Sequence, residues 1–422
     1  MQWIRRIVVV AGAVLLAVLA VQLGIGVRFV ELSAIDLIFL PAVVVTAVYW
    51  VAALAGVARY ARRRPTPSRR SPPVTVLKPL CGDDGQLYDN LATLCRQDYP
   101  TFEILCGVRH HDDPAVAVID RLVRDFPGVE LKLIVDDRTI GTNLKVSNLA
   151  NLLGHAKHDT LIIADADMRV GADYIAAVAG ALEDRGTGMV TCLYRGVAGA
   201  QLGSKLGAMY INEWFIPAAL MGTWIEELRH AFGATIACRR DTLHAIGGFE
   251  AVANHLADDY LLGQMVHRLG LRVALVPYLV DNVVPATSLS ALAVHELRWA
   301  RTFRTLRPLS YFCSLFTFGI PISLLWLAMS VGSPLAAAAV LAHVGLRCLG
   351  RLVLARAVGR EVRGRDAWLV PLRDVLSFLV TLASFLGRTV RWNDTELYVH
   401  PDGRVEPRPQ ANAAGRAWEG SA

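Results

Sequence analysis

The chain has 422 residues, of which 54% are hydrophobic and 19% charged, and its formal net charge is +6. An apolar excess of this size over an ordinary globular mixture needs an explanation, and several long apolar runs supply it. The positive charge lies mostly in arginine-rich stretches that suit anionic lipid headgroups, so no nucleic-acid partner is needed to account for it.

Two apolar runs open the chain, at residues 7–27 and 34–57, and each is long enough to cross a hydrocarbon core as a helix. No small-residue cleavage site follows the first run, so residues 1–60 are predicted to form a membrane hairpin rather than a secretory signal. The linker at 61–73 is basic and of low complexity. Positive flanks stay in the cytoplasm, which predicts a cytoplasmic location for the region that follows. The arginines that set this orientation are Arg59, Arg62, Arg63, Arg64, Arg69 and Arg70.

Residues 74–290 alternate short β-branched runs with helical patterns, which predicts an α/β domain with a mainly parallel, Rossmann-like sheet. In such sheets ligands bind beyond the carboxyl ends of the strands. The seven cysteines are scattered without metal-ligand spacing, so we expect reduced thiols. The predicted strands are 74–77, 103–108, 130–135 and 160–164, and the predicted helices lie near 86–97, 114–125 and 145–154.

Carboxylates follow two of these predicted strands. Asp112 and Asp113 come after the second strand, and Asp165 and Asp167 come after the fourth. Residues i and i+2 of an extended segment point the same way, so Asp165 and Asp167 can bind one divalent cation together or divide their work between a ribose and a metal. A solvated turn or a helix cap explains the same pattern without any ligand.

A second pair of aspartates, Asp258 and Asp259, precedes an amphipathic helix that is predicted to end at Gly270. Capping explains one aspartate but hardly two, because adjacent carboxylates repel each other unless a cation or a proton compensates. Such pairs often mark general-base sites. Upstream, Gly247 and Gly248 predict a tight turn that lets the backbone approach a ligand, and a plain loop explains them equally well.

A basic, amphipathic, helix-like stretch is predicted at residues 291–309. Within it, Arg298 lies beside Trp299, which favours a diphosphate contact with the aromatic ring against a sugar or an acceptor. The other arginines are predicted to contact phosphate headgroups from an interfacial helix; they are Arg301, Arg304 and Arg307.

Three late apolar runs make residues 310–387 a predicted membrane region, followed by a tail at 388–422. The first two runs, 310–331 and 334–346, are predicted to cross the membrane out and back. The third run, 368–386, contains Arg373 and Asp374, which are expensive in lipid unless they are buried in protein. We therefore predict that this run is re-entrant or interfacial, packed beside the acceptor entrance, with a cytoplasmic C-terminus.

In order and spacing, these clusters resemble the three-aspartate plus (Q/R)xxRW pattern of membrane-bound family 2 and family 21 glycosyltransferases, the GT-A group that includes ceramide glucosyltransferases. The likeness covers roughly residues 74–310. Residues 77–80, 111–114, 141–145 and 257–260 look like the ceramide glucosyltransferase subgroup. Residues 190–194, 232–237 and 295–302 look more closely like bacterial hopanoid-biosynthesis-associated glycosyltransferases, which implies a multi-pass protein of the bacterial inner membrane.

The resemblance implies roles for the donor site. Asp113, with its neighbour Asp112, is expected near the uridine, while Asp165 and Asp167 are expected at the ribose, the diphosphate and a divalent cation, Mg²⁺ or Mn²⁺. The remaining donor-binding residues implied are Lys145, Arg298 and Trp299.

The resemblance also implies Asp259 as the catalytic base, with Asp258 beside it. For the acceptor it implies contacts from Trp299, His295, Gly247 and Gly248. His295 stands where the family pattern usually has Gln or Arg. The stretch 211–217 lacks the His-Pro word associated with ceramide-using members, which favours a different lipid.

The resemblance implies an inverting transfer of a hexose or N-acetylhexosamine from a UDP-sugar to a membrane lipid hydroxyl, with N-acetylglucosamine and a hopanoid polyol as the preferred pair. A ceramide glucosyltransferase is the first alternative. A processive polysaccharide synthase shares the aspartates but needs a translocation channel, for which the apolar segments are few. A non-enzymatic membrane scaffold would be favoured by loss of an aspartate cluster, and a transporter by paired repeats.

Overall fold

The computed structural model of the protein describes residues 32–285, 288–330, 333–359, 366–392 and 395–408. The predicted span at 7–27 lies outside these residues. The first described helix, α1, runs from Ala34 to Ala61 and leads into the basic linker. Its N-terminus is closed by a capping box, in which Ser33 and Asp36 each accept a hydrogen bond from the other's backbone amide.

An eight-stranded mixed sheet forms the centre of the domain after the linker. The strands are β1 (Val74–Pro79), β2 (Phe102–Val108), β3 (Glu130–Val135), β4 (Thr160–Ile163), β5 (Met168–Arg169), β6 (Thr187–Ala198), β7 (Ile236–Arg239) and β8 (Arg272–Val284). Their spatial order is β3-β2-β1-β4-β7-β6-β8-β5. The first four pair in parallel, β7 runs antiparallel to both of its neighbours, and β6 and β8 pair in parallel.

The four strands and three helices predicted from periodicity are present in the described chain, and the α/β class is confirmed. The second half of the sheet departs from the expected parallel order, because β7 and β5 are antiparallel to their neighbours. The helices of the domain are α2 (Leu87–Cys95), α3 (Ala115–Asp125), α4 (Leu144–Leu153), α5 (Tyr174–Leu182), α6 (Leu202–Tyr210), α7 (Ile216–Ile225), α8 (Arg240–Ala245), α9 (Asp258–Arg268) and α10 (Leu289–Leu306).

Both faces of the sheet are covered, which explains the unbroken apolar character of its central strands. Along β1, Val76 joins the core on one face and Leu77 joins the core on the other, as the period of two requires. On β4, Ile162 and Ile163 divide in the same way. None of the seven cysteines forms a disulfide, and Cys95, Cys106, Cys192 and Cys238 are buried.

The late apolar runs form helices α11 (Pro308–Ser314), α12 (Gly319–Met329), α13 (Pro334–Ala357) and α14 (Leu369–Ser384). Among the described residues, α1 and α13 are long and apolar enough to cross a membrane. The segment from Pro308 to Met329 would make a third span only if it crosses as one bent unit, with an angle of 62° at its break. Helix α14 has 16 residues, short of the ~20 that a span requires.

The charges of α14 are buried in protein, each with a partner on another helix. Arg373 makes two hydrogen bonds of 2.7 Å to the carboxylate of Glu296 on α10. Asp374 accepts hydrogen bonds from Arg347 on α13, at 2.8 and 2.9 Å, and from the indole of Trp214 at 3.0 Å. Arg373 and Asp374 therefore do not form a pair with each other, because neighbouring positions on a helix point in different directions.

The tail contains a small antiparallel sheet of strands β9 (Thr389–Trp392), β10 (Thr395–Val399) and β11 (Val405–Pro407). Its buried residues Val390, Leu397, Val399 and Val405 pack against Leu256, directly before the Asp258–Asp259 pair. The predicted tail at 388–422 thus contains regular secondary structure as far as Pro407, and residues 409–422 lie outside the described part of the chain.

Candidate active site

A cavity of about 570 Å³ opens between the carboxyl ends of the strands, the start of α9 and one face of α10. Its size is typical of a small-molecule site. Polar and charged side chains line one part of it, and aromatic and aliphatic side chains line the rest. The charged lining residues are Lys145, Asp165, Asp167, Asp258, Asp259, Glu296 and Arg298.

The loop after β4 carries Asp165 and Asp167. The fully buried ammonium of Lys78 on β1 donates to the carbonyl oxygen of Asp165. Lys145, on the first turn of α4, lies 2.7 Å from the Asp165 carboxylate. Asn282 on β8 donates to the Asp167 carboxylate at 2.7 Å. Burial, together with the neighbouring Asp165 charge, raises the pKa of Asp167 to about 6.

Asp258 and Asp259 occupy the first turn of α9, where the partial positive charge of the helix end favours carboxylates. Asp258 is buried, with its carboxylate 3.6 Å from the Lys145 ammonium. Burial, reinforced by Asp258, raises the pKa of Asp259 to about 7. Burial opposes the charged form of Lys145, but the carboxylates of Asp165 and Asp258 outweigh it and raise the lysine pKa. One ammonium thus joins the two carboxylate clusters.

Gly233 lies between the two clusters. A methyl group added at its α-carbon would stand 3.1 Å from an Asp165 oxygen and 3.3 Å from an Asp259 oxygen. The turn that presents this glycine is held by Thr191, whose hydroxyl accepts from the Phe232 amide at 2.8 Å and donates to the Thr235 carbonyl at 2.8 Å. Asp165 and Asp259 therefore both approach Gly233, and all three residues line the cavity.

Helix α10 supplies the basic and aromatic wall. Its N-terminus is capped by Ser288, which accepts from the Ala291 amide. The imidazole of His295 packs on the indole of Trp299 with ring centroids 4.6 Å apart. Burial, helped by the charge of Arg298, lowers the pKa of His295 to about 4, so this imidazole is neutral near pH 7. Burial also lowers the pKa of Arg298 itself, while Asp165, Tyr194 and Asp259 act in the opposite direction.

A π-helical turn, Ile211–Phe215, forms part of the apolar wall. Asn212 in this turn makes two hydrogen bonds of 2.9 Å with the backbone of Gly196 on β6, which fixes the turn against the sheet. Phe215 stacks on Tyr194 at 4.5 Å. Both rings line the cavity, so this stacked pair forms part of its apolar side.

Four of the predicted site residues lie outside the described lining of the cavity. Asp113 accepts hydrogen bonds from the Gly82 and Ala115 amides, a local arrangement that shapes the loop before α3, while Asp112 is exposed. Gly247 and Gly248, with φ values of 91° and 69°, follow α8. Their backbone amides donate hydrogen bonds to the carbonyls of residues 244 and 243. A turn or a plain loop, without any ligand, accounts for the contacts of Asp113, Gly247 and Gly248.

The sequence predicts that the three outer arginines of α10 contact phosphate headgroups. In the structure their guanidinium groups contact protein groups instead. Arg301 donates to the Leu386 carbonyl at 2.7 Å and Arg304 to the Gly387 carbonyl at 2.7 Å. Arg307 forms an ion pair with Glu226. These contacts hold the three guanidinium groups against the protein.

Sequence reasoning missed several site residues. Lys78 carried a signal, since a lysine inside an apolar strand requires a buried partner. Asn282, within a long strand, and His230, whose ring stacks on Tyr260 at 5.1 Å, carried none. Burial lowers the pKa of His230 to about 4.

A divalent cation fits the chemistry of the Asp165–Asp167 loop. Within the described residues, no group of three or more His, Cys, Asp or Glu side chains could hold a metal ion alone. Mg²⁺ in nucleotide-binding sites commonly takes one or two carboxylates, with phosphate oxygens and water completing its shell. Burial and, second, the neighbouring Asp165 carboxylate raise the pKa of Asp167, and a bound cation would offset both effects.

Comparisons with known proteins agree with this architecture. A family model described as Glycosyl transferase family 21 matches residues 37–405. Over 231 residues the chain is 22% identical to ceramide glucosyltransferase 3 of Caenorhabditis elegans, covering 54% of this chain and 50% of that protein. Over 157 residues it is 31% identical to a ceramide glucosyltransferase of Gibberella zeae, covering 33% and 29%. The matches thus span half or less of these relatives' lengths.

Among solved structures, the fold is similar to a mannosyltransferase, PcManGT, from Pyrobaculum calidifontis in complex with GDP-Man and Mn²⁺. The TM-score is 0.50 at 19% identity, and the match covers 80% of this chain and 98% of the other. At this identity the likeness shows a GT-A-like fold and nothing finer.

Proposed function

Because the chain belongs to glycosyl transferase family 21, we propose that it is an inverting glycosyltransferase that moves a sugar from a UDP-sugar to a hydroxyl of a membrane lipid. One observation carries the proposal. Asp259 and Asp165 both approach Gly233 within one cavity, with cationic groups on one side and an apolar wall on the other. A base, a place for a diphosphate and a surface for a lipid meet in one cavity.

In the proposed reaction Asp259 takes the proton of the acceptor hydroxyl. The hydroxyl oxygen forms a bond to the anomeric carbon as the bond from that carbon to the diphosphate oxygen breaks, and the electron pair leaves with the diphosphate. Attack from the opposite face inverts the configuration. A carboxylate with a pKa of about 7 is matched to this task near neutral pH.

Charge that grows on the leaving diphosphate needs compensation. Lys145 and Arg298 line the cavity and supply fixed positive charge in a partly dehydrated site. A divalent cation, Mg²⁺ or Mn²⁺, held by Asp165 and Asp167, would add Lewis-acid stabilisation of the diphosphate. We keep Asp113 and Asp112, which follow the carboxyl end of β2, as the proposed uridine contacts.

We place the lipid against the apolar wall formed by Tyr194, Tyr210, Phe215, Trp299 and Phe303. Phe303 is itself exposed on α10, and Leu309 and Phe312 are exposed on α11, which follows α10 in the chain. A path along these residues would let a lipid hydroxyl reach the base while its chains stay near the bilayer.

A multi-pass arrangement in a plasma membrane, with the sheet domain in the cytoplasm, follows from the arginine-rich flanks. The strands of the tail pack on Leu256 of the sheet domain, so both lie on one side of the bilayer. The chain between α10 and β9 must then cross an even number of times. With α13 and the bent Pro308–Met329 segment as the two proposed crossings, α14 remains the re-entrant or interfacial segment.

Two acceptors are proposed. The names of the curated relatives favour ceramide with UDP-glucose. The sequence motifs at 190–194, 232–237 and 295–302, together with the missing His-Pro motif, favour a hopanoid polyol of the bacteriohopanetetrol type with UDP-N-acetylglucosamine. No contact in the described structure distinguishes the two.

The test is a matrix of purified protein, four UDP-sugars and two acceptors, ceramide and bacteriohopanetetrol, with product masses as the readout. The control is Asp259→Asn, which should abolish product with every pair. Faster glucosylation of ceramide would decide against the hopanoid. Transfer to neither lipid, with UDP-sugar turned into a long polysaccharide, would replace the proposal by the synthase alternative.

A further inference from the structure

The tail sheet, β9 to β11, contacts two loops that lead directly into the active site. We name residues 141–143 the lysine loop, because α4 and Lys145 follow it, and residues 254–257 the base loop, because Asp258 and Asp259 follow it. The Val405 amide donates to the Asn254 carbonyl at 2.9 Å, and the Thr142 hydroxyl donates to the Val405 carbonyl at 3.0 Å. A single residue of the tail sheet thus bonds to both loops.

The two loops are also joined to each other. The Asn143 amide donates to the Ala253 carbonyl at 2.8 Å, and its side-chain amide donates to the His255 carbonyl at 2.8 Å. A methyl group at Gly141 would stand 2.5 Å from the Ala253 carbonyl oxygen, so the two backbones are in direct contact. The tail sheet, the lysine loop and the base loop therefore all contact one another.

A third active-site element is held by the same part of the chain. Arg301 and Arg304 of α10 donate to the carbonyls of Leu386 and Gly387, immediately before β9. Helix α10 also carries Arg298 and Trp299 on the cavity wall. Residues 386–405 therefore contact the supports of the lysine, the base and the basic wall, although they line none of the described cavity themselves.

We propose that the tail sheet is a positioning element of the active site, with Thr142 as its key positioning residue. The tail sheet fixes the distance between Lys145, which forms an ion pair with Asp165, and the Asp258–Asp259 pair. Geometry of this kind matters because a misplacement of about 1 Å can cost about 100-fold in rate. This inference rests on the proposed function for its kinetic consequence, while the mechanical coupling of the loops stands independently.

The proposal is tested with full-length variants that separate position from stability. Thr142→Val removes the hydroxyl at nearly constant size, whereas Thr142→Ser keeps the hydroxyl and removes only the methyl group. Leu397→Ala weakens the buried face of β10, and Tyr398→Ala, on the exposed face of the same strand, is the matched control. We expect kcat to fall roughly 3- to 10-fold for Thr142→Val and more for Leu397→Ala, with little change in the KM of the donor. Thr142→Ser and Tyr398→Ala should behave as the unaltered protein.

Hydrogen–deuterium exchange supplies a readout that needs no substrate. In Thr142→Val and Leu397→Ala we expect faster exchange at residues 140–146 and 253–260, with β1 unchanged. Unaltered exchange at both loops, or an equal rise throughout the domain, would overturn the proposal. If the unaltered protein makes no glycolipid while the coupled exchange is observed, the proposed function fails and the positioning role stands.

Discussion

Replacing Asp259 with asparagine tests the chemical step most directly. The change keeps the size of the side chain at the start of α9 but removes its ability to accept a proton. A general base contributes roughly 10²- to 10⁴-fold to a rate, so we expect kcat and kcat/KM to fall together by about that factor. Affinity for the UDP-sugar should stay nearly unchanged, because Lys145 and Arg298 remain in place.

The raised pKa of Asp259 adds a second expectation. Burial and the neighbouring Asp258 raise this pKa to about 7, and the base acts only when it is ionised. At low substrate concentrations kcat/KM should therefore rise about tenfold per pH unit below pH 7 and level off above it. From pH 8 to pH 5 the loss is about 100-fold. The asparagine variant should lack this limb of the profile.

The assay is transfer of radiolabelled sugar into extracted lipid by protein in lipid nanodiscs, with donor affinity measured by calorimetry. Asp120→Asn is the matched control, since Asp120 is an exposed carboxylate on α3. Near-normal turnover in Asp259→Asn, or a limb near pH 7 that survives the substitution, would remove Asp259 from the role of base.

Four further predictions concern other parts of the molecule. Asp167→Ala should abolish the effect of Mg²⁺ or Mn²⁺ on UDP-sugar affinity; an affinity that is the same with and without cation in the unaltered protein would contradict the metal assignment. Gly233→Ala should lower transfer at least tenfold without lowering Tm, because its methyl enters the space between two carboxylates, and full activity would show that no reacting group sits there. Arg373→Met should lower the free energy of unfolding by about 3–5 kcal/mol, seen as a lower Tm, since it leaves Glu296 buried without its partner. A C-terminal reporter should be active only on the cytoplasmic side, and periplasmic activity would require α14 to be redrawn as a full span.

The sequence alone was sufficient for the local elements and for the chemistry of most charged clusters. Strands such as β3 and β4 are readable because their residues repeat with a period of two or are buried on both faces. The pairs Asp165–Asp167 and Asp258–Asp259 can be recognised in the sequence because neighbouring carboxylates repel each other and are costly without a function or a counter-ion.

Tertiary structure decided which clusters meet. Asp113 and Gly248 have the same local signals as the cavity residues, yet Asp113 accepts from the Gly82 and Ala115 amides and Gly248 donates to the Leu243 carbonyl, and sequence spacing cannot distinguish the two cases. The partners of Arg373 and the contact between Val405 and Thr142 join residues 77 and 263 positions apart. Such contacts depend on how the helices and the tail sheet pack, because the free energy of burying a charge or an apolar strand is settled by distant neighbours and not by the residues beside it in the chain.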